Sequence, residues 1–399
     1  MKPNAVFAKK VVTPTGKNYR RGKDMNSLVV YEDVYIVYDE KILDITREAP
    51  EVNVQAQVNL VTPGFVDCHT HIPFYGFRSK EFVMRSKGAK YVDILKAGGG
   101  IHYTVSMVRE ASKEELVSFN MPFIREMMRR GVTRIEGKSG YGLDVENELK
   151  QLKALKEIDE KVSVGITPTF LGAHAVPKGR SQEEYLNELV ENFDKFKDYT
   201  NFVDIFVDDG AYSVENARWY LKKAKEAGFK IRLHADEIAR TGAAALGVEL
   251  GAVSVDHLLK ITEEDIDLIA SSEIVAVMMP STSFYLGEDY APARKLIDAG
   301  AIVALGSDFN PGSNTVNDPT FVFHLAVSKM KMMPEEALTA FTLNSAYVLG
   351  VSEFEGSIEI GKMANFVGWR VQELEDVPYL PSHDIVNFTV VKGEMIKND

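Results

Sequence analysis

From Leu60 onward, short apolar runs alternate with long stretches of helical periodicity, and this alternation restricts the fold more than any other feature. Parallel strands need a crossover connection, and the crossover helices cover both faces of the sheet, so its strands read as continuous apolar runs. Candidate strands fall at Gly64 to Val66, Thr133 to Glu136, Val164 to Phe170, Phe202 to Phe206, Lys230 to His234, Ala252 to Val255, Ile274 to Met278 and Ile302 to Gly306. Eight such strands suit a closed barrel, whose working face is the C-terminal end of the strands. Helical patterns lie between them. Lys113 to Arg130 spaces Leu116, Phe119, Phe123, Ile124 and Met127 along one face, and Val214 to Ala227 stops at Gly228.

Both ends of the chain have a different texture. Leu28 to Tyr31, Val34 to Tyr38 and Ile42 to Ile45 read as short antiparallel strands with a turn at Asp39-Glu40-Lys41. After a helix over Pro334 to Leu349, β character returns at Gly356 to Lys362 and at Ile385 to Val391, and this tail is expected to complete the N-terminal sheet. The irregular stretches Gly98 to Gly100 and Asp308 to Asp318 are glycine-rich, as active-site loops often are.

The formal charge of −12, with no polybasic run, disfavours nucleic acid and anionic membrane surfaces and leaves small molecules as the expected ligands. A single cysteine, Cys68, excludes an intramolecular disulfide and a multi-cysteine zinc site. The chain is therefore expected to work in the cytoplasm and to bind any metal through histidines and carboxylates. No apolar leader and no apolar segment of membrane-spanning length is evident, so no membrane partner is expected.

The sharpest motif is Pro63-Gly64-Phe65-Val66-Asp67-Cys68-His69-Thr70-His71. Alternation along a strand puts His69 and His71 on one side, with Asp67 behind them and Cys68 and Thr70 facing away. His234 and Asp308 end two later strands, so both can reach the same barrel mouth. Three imidazoles and one carboxylate suit a divalent ion such as zinc or ferrous iron, with a position left for water. A lone His234 is more often a core histidine, and a lone Asp308 a turn cap. Only the joint spacing favours the ligand reading.

The segments 63–71, His234-Ala235-Asp236-Glu237, Val255-Asp256-His257 and Ser307-Asp308-Phe309-Asn310-Pro311-Gly312-Ser313 together resemble the amidohydrolase superfamily. Gly98-Gly99-Gly100-Ile101, Lys138 to Leu143, Phe170 to Ala175 and Phe284-Tyr285-Leu286 are similar to the imidazolonepropionase family within it, and the likeness runs from about Val61 to Trp369. The resemblance implies a distorted (β/α)8 TIM barrel with a small β-sandwich built from both termini. It divides the chain into a composite sandwich, 1–60 with 355–399, and a barrel, 61–354. It also implies a homodimer, one zinc or iron per subunit, and hydrolysis of 4-imidazolone-5-propanoate to N-formimidoyl-L-glutamate in histidine degradation. The alternatives are an amidohydrolase or deaminase acting on another heterocycle, and a non-catalytic barrel scaffold.

Carried over by position, the resemblance implies His69, His71, His234 and Asp308 as metal ligands. Asp308 also accepts a proton, and Glu237 is the catalytic carboxylate that moves a proton between water and a ring nitrogen. His257 polarises the carbonyl or orients the nucleophile; its alternative is metal ligation, as in binuclear relatives. Lys138, which a binuclear enzyme would carboxylate, is read as structural. A propanoate arm calls for a bidentate cation, which Arg78 supplies. Tyr141 and His174 match substrate-contacting positions, Asn310, Gly312 and Ser313 match positions that touch product, and Tyr91 lines the pocket. The run Asn310-Pro311-Gly312 also reads as plain turn chemistry.

Overall fold

A computed structural model describes residues 3–89, 93 and 98–398. Four strands open the chain: β1 (Asn4–Thr13), β2 (Val29–Tyr38), β3 (Ile42–Thr46) and β4 (Asn53–Pro63). Eight barrel strands follow: β5 (Phe65–Asp67), β6 (Val132–Lys138), β7 (Gly165–Ala173), β8 (Phe202–Val207), β9 (Lys230–Ala235), β10 (Ser254–His257), β11 (Val275–Met278) and β12 (Ile302–Leu305). Each overlaps one of the eight apolar runs. They pair in sequence order, and every pairing from β5 to β12 is parallel. The barrel closes just beyond the strand ends, where Thr70 bridges Phe309, Asp308 N–H donates to the His69 carbonyl (2.8 Å) and His71 N–H donates to the Phe309 carbonyl (2.9 Å). The seam that shuts the barrel is thus made by the histidine motif and the Asp308 loop.

That closure depends on Gly306. A Cβ at this position would lie 2.7 Å from the His69 Cβ and 3.0 Å from its backbone nitrogen. Any larger residue would push the two ends of the barrel apart.

β13 (Phe366–Trp369), β14 (Val386–Val391) and β15 (Glu394–Lys397) join the first four strands in one mixed sheet of order β15-β14-β13-β4-β1-β2-β3. The expected two layers come from this single sheet, which curls until the β3 end reaches the approach to β13. Ile42 N–H donates to the Lys362 carbonyl and Ala364 N–H to the Glu40 carbonyl, joining the β2–β3 turn to the approach to β13. Tyr38 and Phe366 meet edge to face inside the curl, 5.2 Å apart, although two strands separate theirs in the sheet.

Three local expectations change. The two short strands before the Asp39 turn are one strand, β2, continuing through Asp33 at φ 52°. Gly356 to Lys362 forms turns rather than a strand, with Gly356 and Gly361 in the left-handed region, and the sheet is completed by β13 to β15 instead. The helix over Pro334 to Leu349 contains a π-helical stretch, Ala340–Asn344, where the Asn344 side chain leaves the helix to bond the Arg20 and Val303 carbonyls and Ser345 Oγ donates to the Ala340 carbonyl.

Candidate metal centre and active site

His69 and His71 follow β5, His234 lies at the end of β9, His257 ends β10, and Asp308 follows β12. His69, His71 and His234 offer ring nitrogens all within 4.8 Å of one another, and His69, His257 and Asp308 form a second, overlapping set. Asp308 Oδ1 lies 3.1 Å from His71 Nε2 and 3.7 Å from His69 Nε2, and His71 Nε2 is 3.4 Å from His234 Nε2. All five residues are buried. Among the described residues, His69 Nε2, both His257 ring nitrogens and Asp308 Oδ1 are buried without a hydrogen bond. Orphaned polar atoms converging on one point are costly unless something binds them, and a donor set of imidazole nitrogen and carboxylate oxygen fits a divalent cation.

The local backbone supports the same point. Asp236, His257 and Asp308 have φ of 51°, 80° and 56°, a region that costs residues with side chains about 1–3 kcal/mol and clusters at functional sites. Cys68 and Thr70 turn away as alternation requires: the Cys68 thiol faces the Leu305 carbonyl, and Thr70 Oγ1 donates to the Glu136 carbonyl. Asp67, behind the histidines, accepts the Ser307 N–H at 2.9 Å, and burial pushes its carboxyl up to about 7.

Two of the imidazoles are aimed from behind. The far nitrogen of His69, Nδ1, pairs with Asp256 Oδ2 at 2.7 Å, and His234 Nδ1 faces Asp204 at 3.1 Å. A proton on each Nδ1 leaves the Nε2 lone pair directed into the centre. Burial holds His69, His71 and His174 well below the ordinary imidazole value and His257 down to about 3, so all four are neutral. Thr282 Oγ1 donates to Asp308 Oδ2 at 2.6 Å and leaves Oδ1 free. Lys138 is fully buried between Glu136 (2.9 Å) and Asp204 (2.8 Å). Burial opposes its charge, but these carboxylates keep its pKa raised. A carboxylated Lys138 would set a third anion against those two.

Glu237 sits above this cluster, with Oε1 3.5 Å from His257 Nδ1. Burial, followed by the charges of Asp308 and Asp208, holds its carboxyl well above the usual carboxylate range. It lies on a turn. The Asp208 carboxylate accepts the N–H groups of Glu237 (2.8 Å), Ile238 (2.9 Å) and Ala239 (2.9 Å), which holds that turn against the end of β8.

His174 stacks on His71, with ring centroids 4.9 Å apart, and Tyr141 lies 5.3 Å from His174. Arg78 rests against Gly312, its backbone N–H on the Pro311 carbonyl (3.2 Å) and its Nε 3.4 Å from Glu81. Arg78 is thus held against the loop that follows Asp308, and its charge is felt at Tyr141. Asn310 uses its side chain within its own loop: Oδ1 accepts the Gly312 and Ser313 N–H groups, and Nδ2 donates to the Asp308 carbonyl and Ser313 Oγ. That is the turn-chemistry reading. Tyr91 lies outside the described residues.

Sequence reasoning missed Asp204, Asp208, Asp256, Thr282, Arg232 and Glu136. A signal for one of them was present, since Asp204 is the single charge inside the otherwise apolar Phe202–Val207.

The chain matches the model of the amidohydrolase family over residues 60–396. It is 45% identical to the imidazolonepropionase of Kosmotoga olearia, across 97% of this chain and 96% of that protein, and 42% identical to the imidazolonepropionase of Clostridium tetani, across 98% and 96%. Escherichia coli guanine deaminase shares the fold, with a TM-score of 0.76 at 16% identity and complete coverage of both chains. Identity of this extent along nearly the whole chain places it in the amidohydrolase family and, within that, among the imidazolonepropionases.

Proposed function

We propose that the protein hydrolyses the ring amide of 4-imidazolone-5-propanoate to N-formimidoyl-L-glutamate, a step of histidine degradation. The observation that carries this reading is the convergence of four imidazoles and Asp308 on one point, in a chain 45% identical to a curated imidazolonepropionase. Water adds to the ring carbonyl carbon, the ring carbon–nitrogen bond breaks, and the leaving nitrogen takes a proton.

His69, His71, His234 and Asp308 are the residues that would hold one divalent ion, zinc or iron. When bound, the ion supplies Lewis acidity, which acidifies water and polarises a carbonyl. The chain's own groups do the rest. Glu237, whose raised pKa suits both proton uptake and proton release, carries a proton from the attacking water to the ring nitrogen. His257, beside Glu237 and neutral, orients the nucleophile and the carbonyl. Asp308 also accepts a proton, and the Thr282 hydrogen bond holds its carboxylate in place. Arg78 takes the propanoate carboxylate in a two-pronged grip. Tyr141, with a raised phenol pKa, and His174 line the ring site beside His71, while Asn310, Gly312 and Ser313 form the loop floor beneath the product.

The same reading takes 1–60 with 355–399 as one sheet domain, 61–354 as the barrel, and the working form as a cytoplasmic homodimer. No described helix is long and apolar enough to cross a membrane. The test is incubation of the metal-loaded protein with imidazolone propanoate while ring absorbance is followed. Loss of absorbance that Glu237→Gln abolishes with metal retained supports the reading, and an unchanged ring refutes it.

A further inference from the structure

Beneath the histidines, five charged side chains lie fully buried: Glu136, Lys138, Asp204, Arg232 and Asp256. Burying ions costs several kcal/mol each, and apolar residues of similar volume generally stabilise a core as well or better, so stability alone is a poor reason for such a cluster. Its connectivity suggests another reason. Asp256 Oδ2 accepts His69 Nδ1 (2.7 Å) and Arg232 Nη2 (2.7 Å). Arg232 Nη1 donates to Glu136 Oε1, which also accepts Lys138 Nζ (2.9 Å). Lys138 Nζ donates in turn to Asp204 Oδ2 (2.8 Å), and Asp204 faces His234 Nδ1. An unbroken line of charge-assisted hydrogen bonds therefore runs from the far nitrogen of one imidazole to the far nitrogen of another.

We propose that Arg232 is a positioning residue for the metal centre: its guanidinium anchors the carboxylate that fixes His69 and, through Glu136 and Lys138, couples it to the carboxylate that fixes His234. This rests on the reading of His69 and His234 as ligands.

The geometry explains why arginine stands here. Nε donates to Ser254 Oγ (2.9 Å), and Ser254 Oγ donates to Asp256 Oδ1 (2.6 Å), so both oxygens of Asp256 are held through one planar group. Nη2 also donates to the carbonyl of Cys68 (3.0 Å), which fixes the backbone immediately before His69. Four acceptors around one side chain match the guanidinium fork, whereas a lysine is a single point of charge that cannot reach them together. Three carboxylates against two cations leave the line with one excess negative charge, which favours a cation at the imidazole end.

The test uses the full chain stripped of metal, with zinc as the probe. Zinc affinity is measured by competition with a chromophoric chelator, and the histidine ring nitrogens of the metal-free protein are observed by NMR after 15N-histidine labelling. Arg232→Lys keeps the charge and is expected to weaken zinc about 10- to 100-fold, as loss of an outer partner to a ligand does. His69 should then pass from one tautomer to a mixture. Because part of the arginine's effect runs through Asp256, Arg232→Lys combined with Asp256→Asn should cost less than the sum of the two single losses.

Zinc affinity within twofold of the parent in a folded Arg232→Lys protein overturns the proposal. So does a loss of affinity with the His69 tautomer unchanged, which marks general destabilisation. If Arg232→Lys does not fold, Ser254→Ala removes the grip on Asp256 Oδ1 without altering charge and should weaken zinc severalfold; no effect there overturns the proposal too. A parent protein that binds zinc but leaves imidazolone propanoate intact refutes the substrate reading and leaves this inference standing. A parent that binds no zinc removes the ligand reading, and the inference falls with it.

Discussion

Gly312 tests the grip on the propanoate arm through a single methyl group. A Cβ at Gly312 would lie 1.4 Å from Arg78 Nη2, 2.1 Å from Cζ and 2.6 Å from Nε. Non-bonded contacts settle near 3.5 Å, so in Gly312→Ala the guanidinium must withdraw by about 2 Å. The backbone has no reason to object: Gly312 is outside the left-handed region, its N–H keeps Asn310 Oδ1 (2.9 Å), and its carbonyl keeps Arg85 (2.9 Å). Stability should therefore stay within about 1 kcal/mol of the parent, as for most substitutions that neither open a cavity nor strand a polar group. A hydrogen bond to a charged group contributes about 1.5–3 kcal/mol, so losing one or both prongs costs about 2–4 kcal/mol of substrate binding. That is roughly 30- to 1000-fold in kcat/KM, carried mainly by KM because the arm is held alike in ground and transition states. Steady-state kinetics on imidazolone propanoate should give Gly312→Ala and Arg78→Ala similar losses, and the double variant no further loss. Parental kcat/KM in Gly312→Ala, or losses that simply add, would refute the reasoning.

Glu237→Gln should lower kcat by about 10²- to 10⁴-fold at unchanged zinc content, read from steady-state rates and metal analysis. It should also alter the pH dependence of stability. The folded pKa of Glu237 is raised above its ordinary 4.5, so the folded state retains a proton that the unfolded chain releases. The stability of the parent relative to Glu237→Gln must then fall as pH rises above 4.5, and paired thermal melts of the chelated proteins at acid and alkaline pH measure the change. Asp208→Ala leaves three N–H groups of the Glu237 turn without their acceptor and should cost about 1–3 kcal/mol in urea melts, together with a loss of kcat.

Much of the barrel was legible because short runs rich in apolar residues alternate with stretches of helical periodicity. Phe202–Val207 and Lys230–Ala235 each begin where the apolar run begins. The terminal sheet was harder. β1 carries Lys9 and Lys10 between buried stretches, and β2 passes through Asp33 in a left-handed conformation, so neither shows clean alternation. The π-helical stretch depends on Asn344 reaching the Arg20 and Val303 carbonyls, far away in sequence. At the site, the convergence of His69, His71, His234 and Asp308 was legible because all four stand at or just beyond strand ends that face one barrel mouth. Their supporting groups were not, because Asp256 takes its role from Arg232 and His69 elsewhere in the barrel, and Thr282 takes its role from Asp308, which follows the neighbouring strand. The dual use of the Asn310 loop was half visible: its turn chemistry is local in sequence, whereas its place beneath Arg78 is tertiary.

The central claim is that one divalent ion, held by His69, His71, His234 and Asp308, and the groups around it open the imidazolone ring. Titrating zinc or ferrous iron into chelated protein while following imidazolone propanoate measures it most directly. The account predicts no turnover without metal and activity that rises linearly to a plateau at one equivalent per chain, with His69→Ala and His234→Ala both inactive and metal-poor. Turnover by the fully chelated protein, or a plateau only at two equivalents per chain, would contradict it.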